Sequence, residues 1–402
     1  MTNRLASVLI GSALAAAASA QIGPLQLIGR QTFATKSQTL GGTTVGGLSG
    51  IDYDPATGNY YLQSDARVAS PEEAPYGRFY TARIDGLAGG TFGAGSVAFT
   101  GVTTLKQPDG TAFPERGIDP ESIRFHGGQF YVSSEGDRSG ATTTQDPFVR
   151  SYDATGKQLS ALPLPAKFAA VAGSTTQGIR NNLAFESLAF TLNGSLYTAT
   201  ENALYQDGPA ASGTTGSNSR ILRYAPGANG FTAAQEFVYP VERVAVPPTG
   251  TNFAVNGLTE LLAVDDTHLL ALERSFTVND DPTLSGNTIR LYEIDLSGAT
   301  DVSGVASLAS LSGINPVSKR LIYDFNVGLG LAPQSLDNLE GMTWGPTLAG
   351  GSRTLVFVSD DNFNSLVGTQ FFAFRVQATP EPATLAALGL GAAAMLRRRR
   401  RA

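Results

Sequence analysis

Short runs in which apolar and polar residues alternate recur along this chain, and they lack the spacing of an amphipathic helix. Five copies share one pattern: an apolar residue or Pro followed by Ser, Thr or Glu, then two alternating runs separated by a turn rich in Gly, Asn or Asp. An acidic residue follows the second run. The copies begin at Gly47, Asp119, Ala184, Gly257 and Asn338. This pattern predicts five β-hairpins of similar design.

Two further alternating segments accompany most of the hairpins. "RFYTARID" and "IRLYEIDL" follow hairpins directly, and "VAFTGVTTL" and "KRLIYDF" come before the next copy. Four short antiparallel strands per copy predict an all-β fold, a β-propeller with five blades. The last copy lacks a fourth strand, which the N-terminal stretch "LQLIGRQTFA" can supply, closing the ring. Residues 231–256 and 314–337 leave room for a sixth, degenerate blade, and one or two β-sandwiches are the rival fold.

The two ends of the chain are typical of targeting segments. Residues 1–20 have a basic start, an apolar stretch and the ending "ASA", which predict a secretory signal peptide and export across the inner membrane. Residues 379–402 contain "PEP", an apolar run and five Arg, and they resemble the PEP-CTERM sorting signal. The resemblance implies recognition by an exosortase-type enzyme, transient membrane association, and final placement at the cell surface or in the extracellular matrix. A plain membrane anchor is the alternative. The propeller is expected over residues 25–377.

Composition narrows the chemistry that the chain can perform. The absence of Cys excludes disulfides, thiolate metal sites and a Cys nucleophile, and two His are too few for a His-rich metal centre. The whole chain has a formal net charge of −6, and the part between the targeting segments is more acidic because the tail holds five Arg. Such a surface repels nucleic acid and attracts cations, so no nucleic-acid partner is expected.

The acidic residues of the hairpins are expected to meet on one face of the propeller. The start of the first strand and the end of the second lie at the same end of an antiparallel hairpin. The opening positions are Ser49, Glu121, Glu186, Thr259 and Glu340, and the closing positions are Asp65, Glu135, Glu201, Glu273 and Asp360. Radial repetition therefore gathers eight carboxylates around one opening.

Carboxylates grouped without His or Cys favour a hard cation, Ca²⁺ first and Mg²⁺ second. The candidate metal ligands are Asp65, Glu135, Glu201, Glu273 and Asp360, and the candidate catalytic groups are Glu121, Glu186 and Glu340. Basic residues follow several of these acids, and they are candidates for binding the oxygens of an ester or phosphate ester; they are Arg67, Arg138 and Arg274. The structural alternative is that the acids accept backbone N–H bonds and fix turns.

The motifs also resemble those of the phytase-like family described as having esterase-like activity. The resemblance lies in Gly47–Ile51, Asp119–Ile123, Asn182–Leu188 and Asn338–Met342. It implies a secreted β-propeller that hydrolyses an ester or a phosphate ester. The resemblance also implies Ca²⁺ held by carboxylates on one face, as in the related β-propeller phytases. The expected function is therefore that of a calcium-assisted hydrolase of small ester substrates. The alternative is a non-catalytic extracellular module that binds a polysaccharide or a matrix partner.

Overall fold

The computed structural model of the protein describes residues 22–377 except 68, 69, 71 and 140–144. The predicted signal peptide at 1–20 and the tail at 379–402 lie outside the described residues. Within them, Ile22–Gln377 is one unit, built mainly from twenty-two β-strands. β1 spans Leu25–Phe33, and a small hairpin of β2 (Thr39–Leu40) and β3 (Thr43–Thr44) follows it.

The remaining strands form five four-stranded antiparallel sheets, one for each predicted repeat. Blade 1 contains β4 Leu48–Asp54, β5 Asn59–Ser64, β6 Arg78–Ile84 and β7 Val97–Thr104. Blade 2 contains β8 Pro120–His126, β9 Gln129–Ser134, β10 Phe148–Tyr152 and β11 Gln158–Ala161. Blade 3 contains β12 Ala189–Phe190, β13 Leu196–Ala199, β14 Ser217–Gly227 and β15 Gly230–Val241.

Blade 4 contains β16 Ala254–Ala263, β17 His268–Thr277, β18 Gly286–Asp295 and β19 Ser318–Asp324. Blade 5 contains β20 Asn338–Trp344, β21 Arg353–Asp360 and β22 Thr369–Val376, and β1 is its fourth strand. The short helix α1 spans Phe325–Leu329 between blades 4 and 5. Five 3₁₀ turns lie at Leu87–Gly89, Ala166–Phe168, Tyr205–Asp207, Pro282–Leu284 and Pro333–Ser335.

The N-terminal strand closes the ring, as the sequence predicts. β1 pairs antiparallel with β22, so that Leu25 lies opposite Val376 and Phe33 lies opposite Thr369. The five-blade count is confirmed as well. The two segments that left room for a sixth blade instead contain β15 and β19, the outer strands of blades 3 and 4.

The hydrophobic core lies between neighbouring blades. Tyr239 of blade 3 and Leu258 of blade 4 belong to one buried cluster, and Leu291 of blade 4 and Phe357 of blade 5 belong to the next. Alternate residues of a strand point to opposite faces of its sheet. Each blade is covered by a neighbouring blade on both faces, so its strands carry apolar residues on both sides. This packing holds the blades in a fixed radial order.

A buried ion pair ties the innermost strands together at the centre of the ring. Arg124 Nη2 of β8 lies 3.0 Å from Glu260 Oε2 of β16. Arg124 Nη1 donates to the carbonyl of Ile51 in β4 (2.8 Å), and the amide of Leu188, next to β12, donates to Glu260 Oε1 (3.1 Å). Burial raises the pKa of Glu260 to about 7, although Arg124 opposes this rise. The pair therefore connects blades 1, 2, 3 and 4.

Candidate active site and metal centre

A β-bulge recurs where the innermost strands begin. The pairing shifts by a residue between Leu48 and Gly50 in blade 1, between Leu258 and Glu260 in blade 4, and between Leu339 and Gly341 in blade 5, and blade 2 has a similar shift after Pro120. The bulges leave the opening positions without a cross-strand partner; those positions are Ser49, Glu121, Thr259 and Glu340. A bulge turns a side chain out of the regular alternation, and here it turns Glu121 and Glu340 toward one cavity.

The cavity, with a volume of about 660 Å³, lies where the predicted acidic residues meet. Six of the eight predicted carboxylates line it: Asp65, Glu121, Glu186, Glu201, Glu340 and Asp360. Two acids that the motif search did not select, Asp337 and Asp361, also line it, together with Arg67 and Arg274. Eight acidic side chains and two basic ones therefore face the same space.

Two triads of carboxylates are close enough to share a cation. One oxygen from each of Glu135, Glu186 and Glu201 lies within 4.8 Å of the others, and the same holds for Asp119, Glu121 and Glu135. All of these residues are buried, and Glu135 belongs to both triads. Glu186 and Glu201 thus meet across the mouth of the hairpin in blade 3, as the sequence predicts.

Burial and mutual repulsion disfavour ionisation of these groups. Burial, aided by the charges of Asp119 and Glu201, raises the pKa of Glu135 to about 8. Burial also raises the pKa of Glu201 to about 7, against the opposing charge of Arg274. The pKa values of Glu121 and Glu186 lie well above the ordinary range, first because of burial and then because of the neighbouring carboxylates. A bound cation would remove both penalties.

Several carboxylate oxygens at the site have no hydrogen-bond donor. They are buried, and within the described part of the chain they lack a partner; they are Asp65 Oδ1, Asp119 Oδ1, Glu135 Oε2 and Glu201 Oε1. Glu201 Oε1 lies 3.6 Å from Arg274 Nη2, which is too far for a hydrogen bond. Since buried oxygens are normally hydrogen-bonded, these atoms fit the ligand set of a hard, oxygen-seeking cation.

Two glycines of the repeated motif make room for the carboxylates. A Cβ atom on Gly257 would lie 2.0 Å from Glu201 Oε1. Gly47 adopts a φ of +61°, and a Cβ atom there would lie 2.1 Å from Asp65 Oδ1. Asp65 therefore requires a Gly at position 47 of the same blade. Glu201 likewise requires a Gly at position 257 of the next blade.

Two of the three predicted arginines face the cavity, each held by an acid. Arg67 forms an ion pair with Asp119 and donates from Nη2 to Asn182 Oδ1 (2.6 Å). Arg274 donates from Nη2 to Glu340 Oε1 (2.9 Å). These contacts fix both guanidinium groups at the edge of the acidic cluster, where they can still donate to an anionic ligand.

The structure places Glu273 away from the cavity, contrary to its expected position. Glu273 lies opposite Leu258 in the strand register, and its carboxylate accepts hydrogen bonds from Tyr239 Oη (2.8 Å), Asn256 Nδ2 (2.9 Å) and Lys319 Nζ (2.5 Å). It lies between blades 3 and 4 and is not among the described residues that line the cavity. The next residue, Arg274, occupies the closing position instead.

Arg138 is likewise directed to a structural role. Its Nη1 donates to the carbonyl of Ile179 (2.5 Å) and its Nη2 to that of Val171 (2.9 Å), while its guanidinium lies 4.7 Å from the ring centre of Tyr205. Arg138 therefore anchors the loop that precedes β12, and it too is absent from the described lining of the cavity.

The fold and the site together define a five-bladed β-propeller with an acidic cavity at one end of its hairpins. The family described as "Phytase-like: Esterase-like activity of phytase" matches residues 43–363, and the chain belongs to this family. The PEP-CTERM protein-sorting motif matches residues 378–401 and indicates export followed by surface sorting or membrane anchoring. Within the described residues, no helix has the length and apolar character needed to cross a membrane.

Comparison with curated proteins found no match. Among solved structures, α-L-arabinofuranosidase from Lactobacillus brevis is similar with 12% identity over 85% of this chain and 94% of that chain, at a TM-score of 0.42. An exo-1,5-α-L-arabinanase from a bovine ruminal metagenomic library has 9% identity over 84% and 95% of the two chains, at a TM-score of 0.40. These similarities are too remote to indicate a substrate.

Proposed function

We propose that the protein is an exported, surface-sorted hydrolase that cleaves an ester, with phosphate esters as the preferred class, using Ca²⁺ bound in the acidic cavity. The observation that carries this proposal is the pair of buried carboxylate triads with unpartnered oxygens. Membership of a family described by the esterase-like activity of phytase supports the reaction class. The sorting motif supports an exosortase-type partner and transient membrane association.

The two triads that share Glu135 would hold the cation, with Ca²⁺ the first choice and Mg²⁺ the second. Glu121, Glu186 and Glu201 present the triads to the cavity, whereas Asp119 and Glu135 are not among its described lining. Asp65 and Asp360, which also line the cavity, are further ligands within reach of the same space. When bound, the cation supplies Lewis-acid polarisation of the ester and a fixed point for its orientation. Glu121 and Glu186 would ionise more readily beside a bound cation, since their raised pKa values come from burial and from repulsion between carboxylates.

The chain's own residues bind the ester and move a proton. Arg67 and Arg274, held by Asp119 and Glu340, donate N–H bonds to the non-bridging oxygens of the phosphate group. Glu121, Glu186 and Glu340 line the cavity, and whichever of these carboxylates is not bound to the cation would accept a proton from the attacking water and pass it to the alcohol that leaves. The water oxygen forms the new bond to phosphorus as the bond to that alcohol breaks. The three carboxylates are buried, and this strengthens their electrostatic contacts.

The test is an ester screen of the purified protein with CaCl₂, with MgCl₂ or with a chelator. We expect cleavage of a generic phosphate ester such as 4-nitrophenyl phosphate that depends on the cation, and slower cleavage of the corresponding acetate. Glu186→Gln, which keeps the shape of the side chain, should lower kcat by at least about a hundredfold if the residue is the proton acceptor. Glu242→Gln is the matched control, because the Glu242 side chain is half exposed and pairs with Lys319.

The screen also separates the proposal from its rival. Binding of Ca²⁺ without cleavage of any ester would favour the extracellular binding module. An equal rate of cleavage with CaCl₂, with MgCl₂ and with a chelator would exclude a role for the metal in the reaction.

A further inference from the structure

An apolar wall adjoins the acidic cluster in the same cavity. Phe253, directly before β16, and Phe276, near the end of β17, both line the cavity. Their ring centres are 6.1 Å apart, and the two planes are tilted by 45°. Phe253 is 64% exposed, although it belongs to the lining of a cavity. Its ring is therefore available to a ligand.

The loop that carries Phe253 is held firmly against the end of β17. Thr277 Oγ1 donates to the carbonyl of Val246 (2.6 Å), Thr249 Oγ1 donates to Asn279 Oδ1 (2.9 Å), and the amide of Val278 donates to the carbonyl of Phe253 (2.9 Å). These bonds fix the backbone on both sides of the aromatic ring. The exposed ring is thus a preorganised surface, which lowers the cost of ordering it when a ligand binds.

A buried amide oxygen that has no partner among the described residues belongs to the residue opposite Phe276. Asn287 is opposite Phe276 in the strand register, is 5% exposed and lines the cavity. Its Nδ2 donates to the carbonyl of Leu336 (3.1 Å), which identifies the other amide atom as the oxygen. Asn287 Oδ1 is buried and accepts no hydrogen bond within the described residues. It can accept one from a hydroxyl group of a ligand.

The apolar wall is connected to the ester site through one strand. Arg274 and Phe276 are two residues apart on β17, so their side chains project from the same face of the sheet. A ligand whose anionic group contacts Arg274 therefore places its neighbouring part over the aromatic rings. The eight acids and two arginines of the cavity disfavour a ligand with several anionic groups.

We propose that Phe253, Phe276 and Asn287 form a subsite for a sugar ring, and that the substrate is a sugar carrying a single ester group. The C–H face of the sugar packs on the electron-rich face of Phe253, and one hydroxyl donates to Asn287 Oδ1. An aromatic leaving group without a hydroxyl would leave that oxygen unpaired, so we expect such a ligand to bind about tenfold more weakly. This substrate class rests on the proposed ester hydrolysis, whereas the sugar subsite itself does not.

The first experiment measures binding without catalysis. Methyl glycosides of glucose, galactose and mannose, which carry no ester, are titrated into the protein and followed by saturation-transfer NMR and calorimetry. We expect at least one to bind both with Ca²⁺ and in chelator, because the subsite uses no carboxylate. Phe253→Ala should weaken binding about tenfold or more. Leu192→Ala is the control, since Leu192 is 88% exposed and is not among the described residues of the cavity.

The second experiment compares hexose phosphates, 4-nitrophenyl phosphate and ethyl phosphate as substrates. Phe253→Ala should raise KM for the hexose phosphate about tenfold, while Leu192→Ala should leave it unchanged. Failure of every methyl glycoside to bind the wild-type protein would overturn the subsite even if esters are cleaved. A preference for 4-nitrophenyl phosphate over all hexose phosphates would overturn it too. Glycoside binding without any ester cleavage would uphold the subsite and reject the proposed hydrolysis.

Discussion

The metal-free protein should lose stability as the pH rises from about 5 to 8, and Glu201 shows why. An unfolded chain ionises Glu above a pH of about 4.3, whereas burial keeps Glu201 protonated in the folded protein until about pH 7. Between these values the folded state binds the additional proton. The bound proton stabilises the folded state most at the acidic end of this range, and this stabilisation is lost as the pH rises through the pKa of Glu201 in the folded protein. Asp65 and Glu135, with pKa values of about 8, act in the same direction.

The size of the effect follows from the two pKa values of Glu201. Each pKa unit is worth about 1.4 kcal/mol, so the rise of the Glu201 pKa from about 4.3 to about 7 corresponds to roughly 4 kcal/mol, of which about 3 kcal/mol is lost between pH 5 and 8. Unfolding entropy near 2.1 cal/mol/K per residue, over the roughly 350 residues of the propeller, converts this energy into a fall of about 4 °C in Tm. Ca²⁺ at a hundred times its Kd should return about 2.7 kcal/mol at pH 8. At pH 5 it should return less, because protons compete for the same oxygens.

Differential scanning calorimetry between pH 5 and 8, in chelator and in CaCl₂, measures these shifts. Glu201→Gln should flatten the pH dependence in chelator and reduce the gain from calcium, while Glu242→Gln should leave both unchanged because its side chain is half exposed. A wild-type Tm in chelator that is constant or rises over this pH range would refute the reasoning. The carboxylates would then be ionised and satisfied by donors of the protein.

Three further outcomes are expected. Deleting Leu25–Phe33 exposes the edge of β22 and should cause aggregation or a clear loss of Tm, seen by light scattering and calorimetry; an equally stable and soluble truncated protein would argue against closure. Gly257→Ala should displace the Glu201 carboxylate and abolish most of the calcium-dependent Tm shift, whereas Gly298→Ala, where a Cβ meets no atom within 4 Å, should not. Mass spectrometry of the mature protein from its native host should show loss of Arg397–Arg401; an intact tail would count against sorting by cleavage.

The ring of blades is predictable because each blade repeats one pattern of alternation and turns. The sequence pattern assigns the outer strands β15 and β19 to the correct blades. Only the longer connections beside these strands leave room for a sixth blade. The closing role of β1 follows from a missing fourth strand in the last copy. Periodicity and turn chemistry are local properties, and they carry this part of the fold.

The site is less predictable because a shift of one residue moves a side chain to the other face of a strand. In four copies Ser or Thr precedes the closing acid, and in "ALERSF" Glu273 occupies that Ser/Thr position while Arg274 occupies the acidic one. A position-by-position comparison of the copies reveals this offset of one residue, whereas a search for acidic residues alone misses it. Arg138 lies in an irregular loop, whose path no periodic pattern describes.

Some residues of the site could have been found from their neighbours. Asp119 lies two residues before Glu121, and Asp361 follows Asp360 directly. In each case a second acid accompanies the predicted one at the same end of the hairpin. Phe253 gives no such signal. Its importance comes from the hydrogen bonds that hold its loop and from an unpaired oxygen on a strand that lies more than thirty residues later in the chain, and neither is visible before the chain is folded.

Closure of the ring by β1 also sets the order in which the protein can finish folding. Among the strands that the structure describes, β1 is the first to be synthesised and its partner β22 is the last. Blades 1 to 4 can each form from contiguous chain, but blade 5 must wait until the whole propeller is available on one side of the membrane. Until then β1 remains unpaired, and its many exposed and half-exposed positions, including Gln26 and Arg30, suit a strand that must stay soluble while it waits. We therefore expect the last folding step to join the two ends of the domain, immediately before the segment that carries the sorting motif.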